Sequence, residues 1–554
     1  MKRIHLLLFL AAGLLSSSPL SAEGFLKGKI LRLSTGSRIS EQGGSDFGIS
    51  LSGISTGNSI SLLSVERALE KAAEDKDIAL VYLNTDHFSA GMAAAEEIRA
   101  GMVRCREKGK PVVAYGTSFG NGSYYLASAA DRVFMNPKGD GTLSGLSSTQ
   151  MFLKDLLDTL GVEIQLIRHG KFKSAGEMYI RNDISPENRL QYEKLLGSIW
   201  SSMVCEMSSS RGLEPDSLMR WIDRLEPTAP KDWEKYGLVD GLKYRDEMEQ
   251  YLCHLFGTKD PSKLSVIGID EYAGKVKNKG PRSKKVAVIY ADGEIVRSGG
   301  SSDIVGETLS REIAKVRADS SVKAVVFRVN SPGGEVVAAD MIRREIELLK
   351  KDKPVVASYG SYAASGGYLI SAGCDSVFTD NSTLTGSIGV FGMIPSYGDA
   401  VKKHLHVNMV PIGTNVHSSM GSGIAPLSEE ETAWYQNQIE GIYDDFVGVV
   451  CDGRGMTYDE VDALAQGRVW AGKDALEIGL ADRRGTILDA IECAASLAGL
   501  DSYRLATYPE KKDPLKEFLS SGKEDKKPPL VKSLKPGFNA VARMDYFYID
   551  PIRF

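Results

Sequence analysis

The second half of the chain contains two glycine-rich turns whose residues could build an acyl-transfer site. Ser365 lies in the run GSYAASGGY, after a strand-like segment and before a helix-like one. A serine on such a turn can present its Oγ at the amino end of the helix, and Gly366 offers an unobstructed backbone N–H to an oxyanion. Upstream, the run NSPGG ends in Gly333 and Gly334, either of which lets a second backbone amide approach a substrate carbonyl. The pattern predicts a serine nucleophile and its oxyanion hole.

A nucleophilic serine needs a general base, and the residues leave two kinds of candidate open. His404, His406 and His417 lie in the same half of the chain, but none is accompanied by an aspartate at a predicted strand end. Lys173, in the run HGKFKSAG, is the other candidate. A lysine with its ordinary pKa of about 10.4 is protonated at pH 7, so a lysine base would have to be buried in a cleft that excludes water.

The elements that must position these residues occur twice, in two copies of one unit of about 240 residues. The run KPVVAYGTSFGNGSYYLAS from Lys110 matches KPVVASYGSYAASGGYLIS from Lys353, 243 positions later. The same spacing relates SPENRLQY from Ser185 to SEEETAWY from Ser428. Because repeats of one unit fold alike, the two copies can be compared position by position.

The two copies differ at the positions that would carry chemistry. The first copy has Gly122 where the second has Ser365, and NTDHF from Asn84 stands in place of NSPGG. Conversely, residues 412–421 of the second copy, which match the surroundings of Lys173, contain no lysine. One copy lacks the serine and the other lacks the lysine, which predicts a single Ser-Lys site assembled from both copies.

Short apolar runs and helical patterns alternate within each copy. KKVAVIYADGEIV and VKAVVFRVN are rich in β-branched residues, as buried parallel strands are, and VVAADMIRREIELLKKD has apolar residues at helical spacing. Strand, helix and strand in succession favour parallel βαβ units. We expect an α/β protein of two tandem repeats, each with a parallel sheet flanked by helices.

The composition excludes several classes of protein. Of 554 residues, 42% are hydrophobic and 25% are charged, which is typical of globular domains and not of disordered, collagen-like or polytopic membrane proteins. The net charge of −5 gives no electrostatic reason to bind nucleic acid. The six cysteines form no C-x-x-C pair, so we expect no metal site and interpret them as small buried residues, with one or two disulfides left open.

The amino terminus has the features of an export signal. Lys2 and Arg3 precede the apolar run from Leu6 to Leu15, and small residues follow up to a suitable cleavage point at Ala22. The run is short for a membrane-spanning helix, so a cleaved signal peptide and a retained anchor are both open. The predicted division is 1–22 signal peptide or short anchor, 23–271 first repeat with the lysine, 272–285 linker, 286–505 second repeat with the serine, and 506–554 charged tail.

Four runs in chain order, KFKSAGE, NSPGG, AASGGY and TLTGSIG, closely resemble those of the signal peptide peptidase A family in its long, tandem-repeat form. The resemblance covers residues 25 to 505, nearly the whole exported part. It implies the crotonase-like fold that is shared with the Clp protease subunit. It also implies a serine peptidase with neither cofactor nor metal.

The resemblance assigns roles to particular residues of this sequence. Ser365 would be the nucleophile and Lys173 the general base, while Ser387 would hydrogen-bond the lysine amine. The oxyanion donors would be Gly366 and one of Gly333 or Gly334.

The family likeness further implies the substrates, the assembly and the location. Its long members form bowl-like homotetramers whose sites face the interior. They degrade cleaved signal peptides and other small hydrophobic peptides at the periplasmic side of the bacterial inner membrane. We therefore expect peptide substrates, association with that membrane and no nucleic-acid partner.

Two other classes of function compete with the peptidase. A crotonase-type enzyme acting on coenzyme A thioesters would share the fold, but it would leave the export signal and the Ser-Lys pair unexplained. A catalytically silent envelope scaffold would assemble without reacting with serine-directed phosphonates. Glu177 and Asp183 would favour the charged amine if they lay near Lys173, so we expect them to face solvent or to pair with Arg181.

Overall fold

The first repeat is built around a six-stranded sheet and the second around an eight-stranded one. The computed structural model describes residues 26–34, 38–50, 53–88, 90–300 and 302–509, so the predicted export signal and nearly all of the predicted tail lie outside the described residues. The strands of the first repeat are β1 (Lys29–Leu33), β2 (Arg38–Ser40), β3 (Gly44–Ser50), β4 (Gly53–Ser61), β5 (Ile78–Asn84), β6 (Val112–Phe119), β7 (Arg132–Gly141), β8 (Glu163–Arg168), β9 (Gly241–Leu242) and β10 (Val266–Gly268). Its helices are α1 (Leu62–Glu74), α2 (Met92–Glu107), α3 (Asn121–Ala127), α4 (Lys154–Leu160), α5 (Glu177–Ile180), α6 (Pro186–Arg211), α7 (Pro215–Asp223), α8 (Pro230–Lys235), α9 (Arg245–Leu255) and α10 (Ile269–Lys275).

The second repeat follows with the same kinds of element. Its strands are β11 (Lys285–Asp292), β12 (Ile295–Val296), β13 (Ile304–Val305), β14 (Val322–Ser331), β15 (Val355–Ala364), β16 (Ser376–Thr379), β17 (Leu384–Gly386), β18 (Phe391–Ser396), β19 (Val469–Ala471), β20 (Arg483–Arg484) and β21 (Arg504–Tyr508). Its helices are α11 (Gly306–Ala318), α12 (Val336–Lys350), α13 (Gly366–Leu369), α14 (Gly398–Leu405), α15 (Glu429–Arg454), α16 (Tyr458–Leu464), α17 (Gly472–Glu477) and α18 (Ile487–Leu497).

Six strands follow the same order in both repeats, and the second sheet adds β17 beside β15 and β19 antiparallel to β17. The first sheet runs β10-β1-β5-β6-β7-β9, and all its neighbouring strands are parallel. The second contains the path β21-β11-β14-β15-β16-β20, again parallel throughout. The expectation of a tandem α/β protein with parallel sheets is confirmed.

Strand β11, between β21 and β14, shows why its sequence is apolar from Val286 to Ala291. Val288 belongs to a buried cluster with Ile491 of α18 on one face of the sheet. Ile289, the next residue, belongs to the cluster that contains Ile342 of α12 on the other face. Since successive side chains of a strand point to opposite faces, helices on both faces require apolar residues at both parities.

The two longest helices, α6 and α15, begin and end at equivalent positions. Ser185 and Ser428 cap their amino ends by accepting a hydrogen bond from the third backbone amide of each helix. Gly212 and Gly455 end them with φ of 65° and 66°, in the left-handed region that glycine adopts without strain. The two helices have the same length, 26 residues each.

Buried charges join the repeats. The Arg328 guanidinium, on β14, lies 2.7 Å from Glu97 of α2 and 2.8 Å from Glu41. The other Glu97 oxygen accepts the Ile487 N–H at 2.7 Å. Because a buried charge is stabilised only by such partners, this pairing fixes how the first repeat sits on the second.

The connection between the repeats starts later than the predicted linker. Helix α10 continues to Lys275, since the Tyr272 hydroxyl donates to Asp75 at 2.7 Å and docks the helix on the first repeat. β11 then begins at Lys285. Among the residues that the structure describes, we find no helix that combines the length and the apolar character needed to cross a bilayer.

Candidate active site

Side chains from distant parts of the chain meet in one buried cluster. Lys173 Nζ lies 3.1 Å from Ser365 Oγ, 2.9 Å from Ser387 Oγ and 3.0 Å from the Ser387 carbonyl oxygen. None of the three residues is more than 2% exposed. The structure therefore brings the predicted lysine and serine together within one chain, although they are 192 positions apart.

Ser365 occupies a sharp turn between β15 and α13. Its φ of 53° and ψ of −120° lie in a region that residues other than glycine rarely adopt. The turn is held by the Ser365 N–H, which donates to the Gly386 carbonyl at 2.8 Å, and by the Leu369 N–H, which donates to the Ser365 carbonyl at 2.9 Å. Such a conformation persists only where its surroundings maintain it, and here they maintain the direction of Oγ.

The NSPGG loop packs directly against this turn. Gly333 has a φ of +105°, and a Cβ there would lie 2.7 Å from the Gly366 nitrogen and 2.9 Å from the Ser365 Cβ, so only glycine fits. The Gly333 N–H donates to Ser331 Oγ at 3.2 Å. Within the described part of the chain, the Gly334 N–H has no acceptor, and a Cβ on Gly366 would point to within 3.3 Å of that nitrogen. The geometry thus favours Gly334 over Gly333 as the partner of Gly366.

A strand that crosses between the repeats delivers Lys173. β8 of the first repeat pairs antiparallel with β18 of the second over six residue pairs. Ile167 on β8 is buried in the core of the second repeat. Beyond the strand, the Phe172 N–H donates to the Gln466 carbonyl at 2.9 Å, which anchors the residue next to the lysine on the second repeat.

Arg168 and Glu177 brace the lysine loop from the first repeat. Arg168 Nη1 donates to the Lys173 carbonyl at 2.7 Å and lies 3.4 Å from a Glu177 carboxylate oxygen. Glu177 is buried and also accepts from Ser185 Oγ at 2.7 Å. The expectation that Glu177 faces solvent or pairs with Arg181 is wrong, because the carboxylate turns inward toward Arg168 and the amino end of α6.

Two glutamines that the sequence did not single out also hold this loop. Gln191 accepts the Val469 N–H at 2.7 Å and donates to the Phe172 carbonyl at 3.5 Å. Gln466 accepts from Phe172 while its own backbone has a φ of 55°. The sequence could have indicated Gln191 only as a polar residue on the buried face of α6. Gln466 acts through its backbone carbonyl, so its side-chain type gives no indication of its role.

The histidines considered as bases lie elsewhere. His417 is exposed and lies 3.1 Å from Glu431, and the exposed His404 ring approaches the Leu160 carbonyl at 3.1 Å. His406 is the exposed residue that ends α14. The structure thus places a lysine, and none of these three histidines, beside Ser365.

The equivalent place in the first repeat has no nucleophile. Gly122 lies inside α3, where a residue without a side chain presents no group for attack. The counterpart of the NSPGG loop forms a 3-10 turn over Thr85–His87. The described chain thus carries the Ser-Lys arrangement at the second sheet only.

The cysteines and other metal-ligating residues form no centre in the described part of the chain. No group of three or more histidine, cysteine or carboxylate side chains there is placed to hold a metal ion. Cys105, Cys253 and Cys374 are buried free thiols. Cys205 is exposed, contrary to the expectation, because it falls on the outer side of α6.

A serine on a strained strand-to-helix turn, flanked by glycine amides and contacted by a buried lysine, is an arrangement suited to acyl transfer by a serine peptidase. The comparisons with known proteins agree with this class. The model of peptidase family S49 matches residues 104–257 and 347–501, once in each repeat. The chain therefore belongs to peptidase family S49.

Relatives of known name extend the match over most of the chain. Protease 4 of Haemophilus influenzae is 35% identical over 79% of this chain and 73% of its own length. The chloroplastic serine protease SPPA of Arabidopsis thaliana is 32% identical over 87% of this chain and 71% of its own. A putative signal peptide peptidase SppA of Enterococcus faecium is 34% identical over 46% of this chain and 74% of its own. This chain is accordingly a serine protease that acts on peptides, and neither the thioester enzyme nor the silent scaffold is favoured.

Proposed function

We propose that Lys173 and Ser365 form the catalytic dyad of this peptidase. The observation that carries the proposal is the 3.1 Å contact between Lys173 Nζ and Ser365 Oγ, in a site where both side chains are shielded from solvent. Burial disfavours an ammonium ion, and the two Ser387 oxygens within 3.0 Å of Nζ are neutral. This environment favours the neutral amine that a general base requires.

The arrangement supports a two-step acyl transfer. Lys173 takes the proton of Ser365 as Oγ attacks the substrate carbonyl. The Gly366 and Gly334 N–H groups then stabilise the negative charge that develops on the carbonyl oxygen by donating hydrogen bonds to it. The lysine then gives its proton to the leaving amine, and an ester of Ser365 remains. Water, deprotonated by the same amine, hydrolyses that ester and restores the serine.

Ser387 is the positioning residue in this scheme. Its hydroxyl and its carbonyl both accept hydrogen bonds from Nζ. With both N–H groups of the neutral amine engaged in this way, its lone pair is left to face Ser365. Ser387 itself has a φ of 51° and donates its N–H to the Arg468 carbonyl at 2.7 Å. Its backbone, like that of the nucleophile, has a positive φ and is held by a hydrogen bond from its own N–H.

The proposed substrates are cleaved signal peptides and other small hydrophobic peptides, degraded without a cofactor. The export signal predicted at residues 1–22 and the likeness to signal peptide peptidases support this choice, because both lead to the bacterial envelope. The same two observations support a place at the periplasmic side of the inner membrane, anchored or released. The family likeness further supports a homotetramer.

A fluorophosphonate probe tests the dyad, since it forms a covalent adduct only with an activated serine. Intact mass after incubation should show one adduct per chain for the wild type and none for Ser365→Ala or Lys173→Met. Matched controls are Ser361→Ala, on the same strand, and Lys171→Met, in the same loop, and both should label at the wild-type rate. An unlabelled wild type that is folded, or a labelled Lys173→Met, would overturn the proposal.

A further inference from the structure

His169 is the first residue of the lysine loop, residues 169–173, which carries Lys173 from β8 to the nucleophile. Its N–H donates to the Val390 carbonyl at 3.1 Å, one step beyond the last residue pair of the β8–β18 ladder. The backbone at His169 is thus held on the second repeat, and the chain turns from there toward the active site.

Helix α15 holds the His169 ring on two sides. The ring stacks on the Tyr443 ring, with centroids 3.6 Å apart and an angle of 19° between the planes. Its Nδ1 is hydrogen-bonded to a carboxylate oxygen of Glu440, on the same helix. Because a carboxylate oxygen only accepts, Nδ1 carries the hydrogen of this bond. One face and one edge of the imidazole are therefore held by the second repeat, and the side chain is only 22% exposed.

Tyr443 also supports the residue next to the lysine. Its hydroxyl donates to Asp462 and accepts the Gln466 N–H at 3.4 Å. The Gln466 carbonyl in turn accepts the Phe172 N–H at 2.9 Å. One aromatic side chain is thus connected to both ends of the loop before the lysine, to His169 directly and to Phe172 through Gln466.

Between these two anchors the lysine loop packs closely against the second repeat. Gly170 has a φ of +95°, and a Cβ there would lie 2.4 Å from the Gln466 carbonyl carbon. A Cβ on Gly467 would lie 2.5 Å from the Lys173 Cβ. Backbone contacts this close leave no gap, so a displacement of His169 is passed on to Lys173.

A glutamine orients the Glu440 carboxylate toward the ring. Gln436 Nε2 donates to the other Glu440 oxygen at 2.5 Å and approaches the Arg168 carbonyl at 3.4 Å. One carboxylate oxygen is therefore engaged by the helix that bears it, and the second is directed to His169. The same glutamine also contacts the backbone directly before His169.

Among the residues that the structure describes, only Glu440 forms an ion pair with the ring. The other charged side chains around this cluster are Arg168, Lys171 and Asp462. Histidine is the side chain that ordinarily changes its charge between about pH 5 and pH 8. Its cation donates a charge-assisted hydrogen bond to a carboxylate, about twice as strong as the bond from the neutral ring. The bond between His169 and Glu440 therefore weakens as the pH rises through that range.

We propose that His169 is a positioning residue for Lys173 and that its bond to Glu440 makes the placement of the lysine dependent on pH. The protonated ring, bonded to Glu440 and stacked on Tyr443, holds the lysine loop where Nζ reaches Ser365, and loss of the ring proton loosens this hold. Two ionisations then act in opposite directions, because a rising pH also frees the lysine amine of its proton. The inference rests on the proposed function, since it takes Lys173 as the general base.

The rate of fluorophosphonate labelling, measured from about pH 5.5 to about pH 8.5, tests the proposal. His169→Phe keeps a ring on Tyr443 but has no donor for Glu440. Its rate should be about tenfold below the wild-type rate at the acid end. At the alkaline end it should be within about threefold of the wild-type rate, because the wild type has then lost the charge-assisted bond. The Lys173 ionisation is common to both proteins and cancels in the ratio of the two rates.

Glu440→Gln removes the charge from the helix side of the contact and should show the same dependence on pH. The side chain of Glu440 is 43% exposed, so folding should be retained, and the circular dichroism spectrum checks this. The double variant should label no more slowly than either single variant, since the two side chains act through one contact. Matched controls are His254→Phe, an exposed histidine on α9, and Asp445→Asn, an exposed carboxylate on α15, and both should label at the wild-type rate at every pH.

A ratio of wild-type to His169→Phe rates that stays constant over the whole pH range would overturn the inference, because the ring would then have a structural role only. Additive losses in the double variant would do the same. With a hydrophobic peptide as substrate, His169→Phe should lower kcat at the acid end and leave KM unchanged, whereas a change in KM alone would make His169 a substrate contact and refute the positioning role. Failure of the dyad looks different: a labelled Lys173→Met, or a wild type that is labelled at no pH, contradicts the proposed function, while a constant ratio beside an unlabelled Lys173→Met contradicts only the role of His169.

Discussion

Removing the Ser387 hydroxyl should slow the chemical step without weakening substrate binding. Ser387→Ala deletes the 2.9 Å contact to Lys173 Nζ but leaves the contact to the Ser387 carbonyl at 3.0 Å and to Ser365 Oγ at 3.1 Å. The amine thus loses one of these three oxygens and can rotate away from the nucleophile. A buried hydrogen bond of this kind contributes about 1–2 kcal/mol.

At about 1.4 kcal/mol per factor of ten, the loss corresponds to roughly a tenfold lower kcat. KM should change little, because the contact that is lost joins Ser387 to the lysine and not to the substrate. The rate of fluorophosphonate labelling should fall by the same factor as kcat, since both report the activation of Ser365. Steady-state hydrolysis of a hydrophobic peptide, measured beside the labelling rate, provides the comparison.

Ser387→Gly separates the hydroxyl from the backbone. Ser387 has a φ of 51°, which costs a residue with a Cβ about 1 kcal/mol and glycine almost nothing. The glycine variant should therefore lose activity as Ser387→Ala does while being the more stable of the two in urea. If Ser387→Ala kept kcat within twofold of the wild type, or changed KM alone, the positioning role would be refuted.

Two further changes test how the fold supports the site. Arg168→Ala removes the donor to the Lys173 carbonyl and the partner of buried Glu177. The free energy of unfolding in urea should therefore fall by about 1–3 kcal/mol, and the rate of fluorophosphonate labelling should fall as well. An unaltered labelling rate would show that the lysine loop keeps its shape without Arg168. Burial raises the pKa of Glu66, beside Arg104, to about 8 from its ordinary 4.5. Between these two pKa values the folded protein binds more protons than the unfolded chain, so the free energy of unfolding should decrease as the pH rises from about 4.5 to about 8. Glu66→Gln should make this pH dependence of the stability less steep. An equal slope in both proteins would contradict the prediction.

Much of the fold could be predicted from local pattern alone. The duplicated runs, the β-branched strands such as β11 and the capped helices α6 and α15 follow from side-chain periodicity and end signals, which act over a few residues. Ser365 was recognisable for the same reason, because the small residues of a turn between a strand and a helix are consecutive in the sequence. The comparison of the repeats then indicated that the lysine had to come from the other copy.

Only the tertiary structure decided which groups meet. That Lys173 reaches Ser365 depends on β8 leaving its own repeat to pair with β18, a contact that no local pattern specifies. The choice of Gly334 over Gly333 depends on Gly366, which is distant in sequence. The inward turn of Glu177 depends on Arg168 and Ser185, which are near in sequence but face it only in the folded chain. Periodicity fixes which face of an element is apolar, whereas burial, hydrogen-bond partners and the direction of a side chain are set by whatever the rest of the chain places against that face.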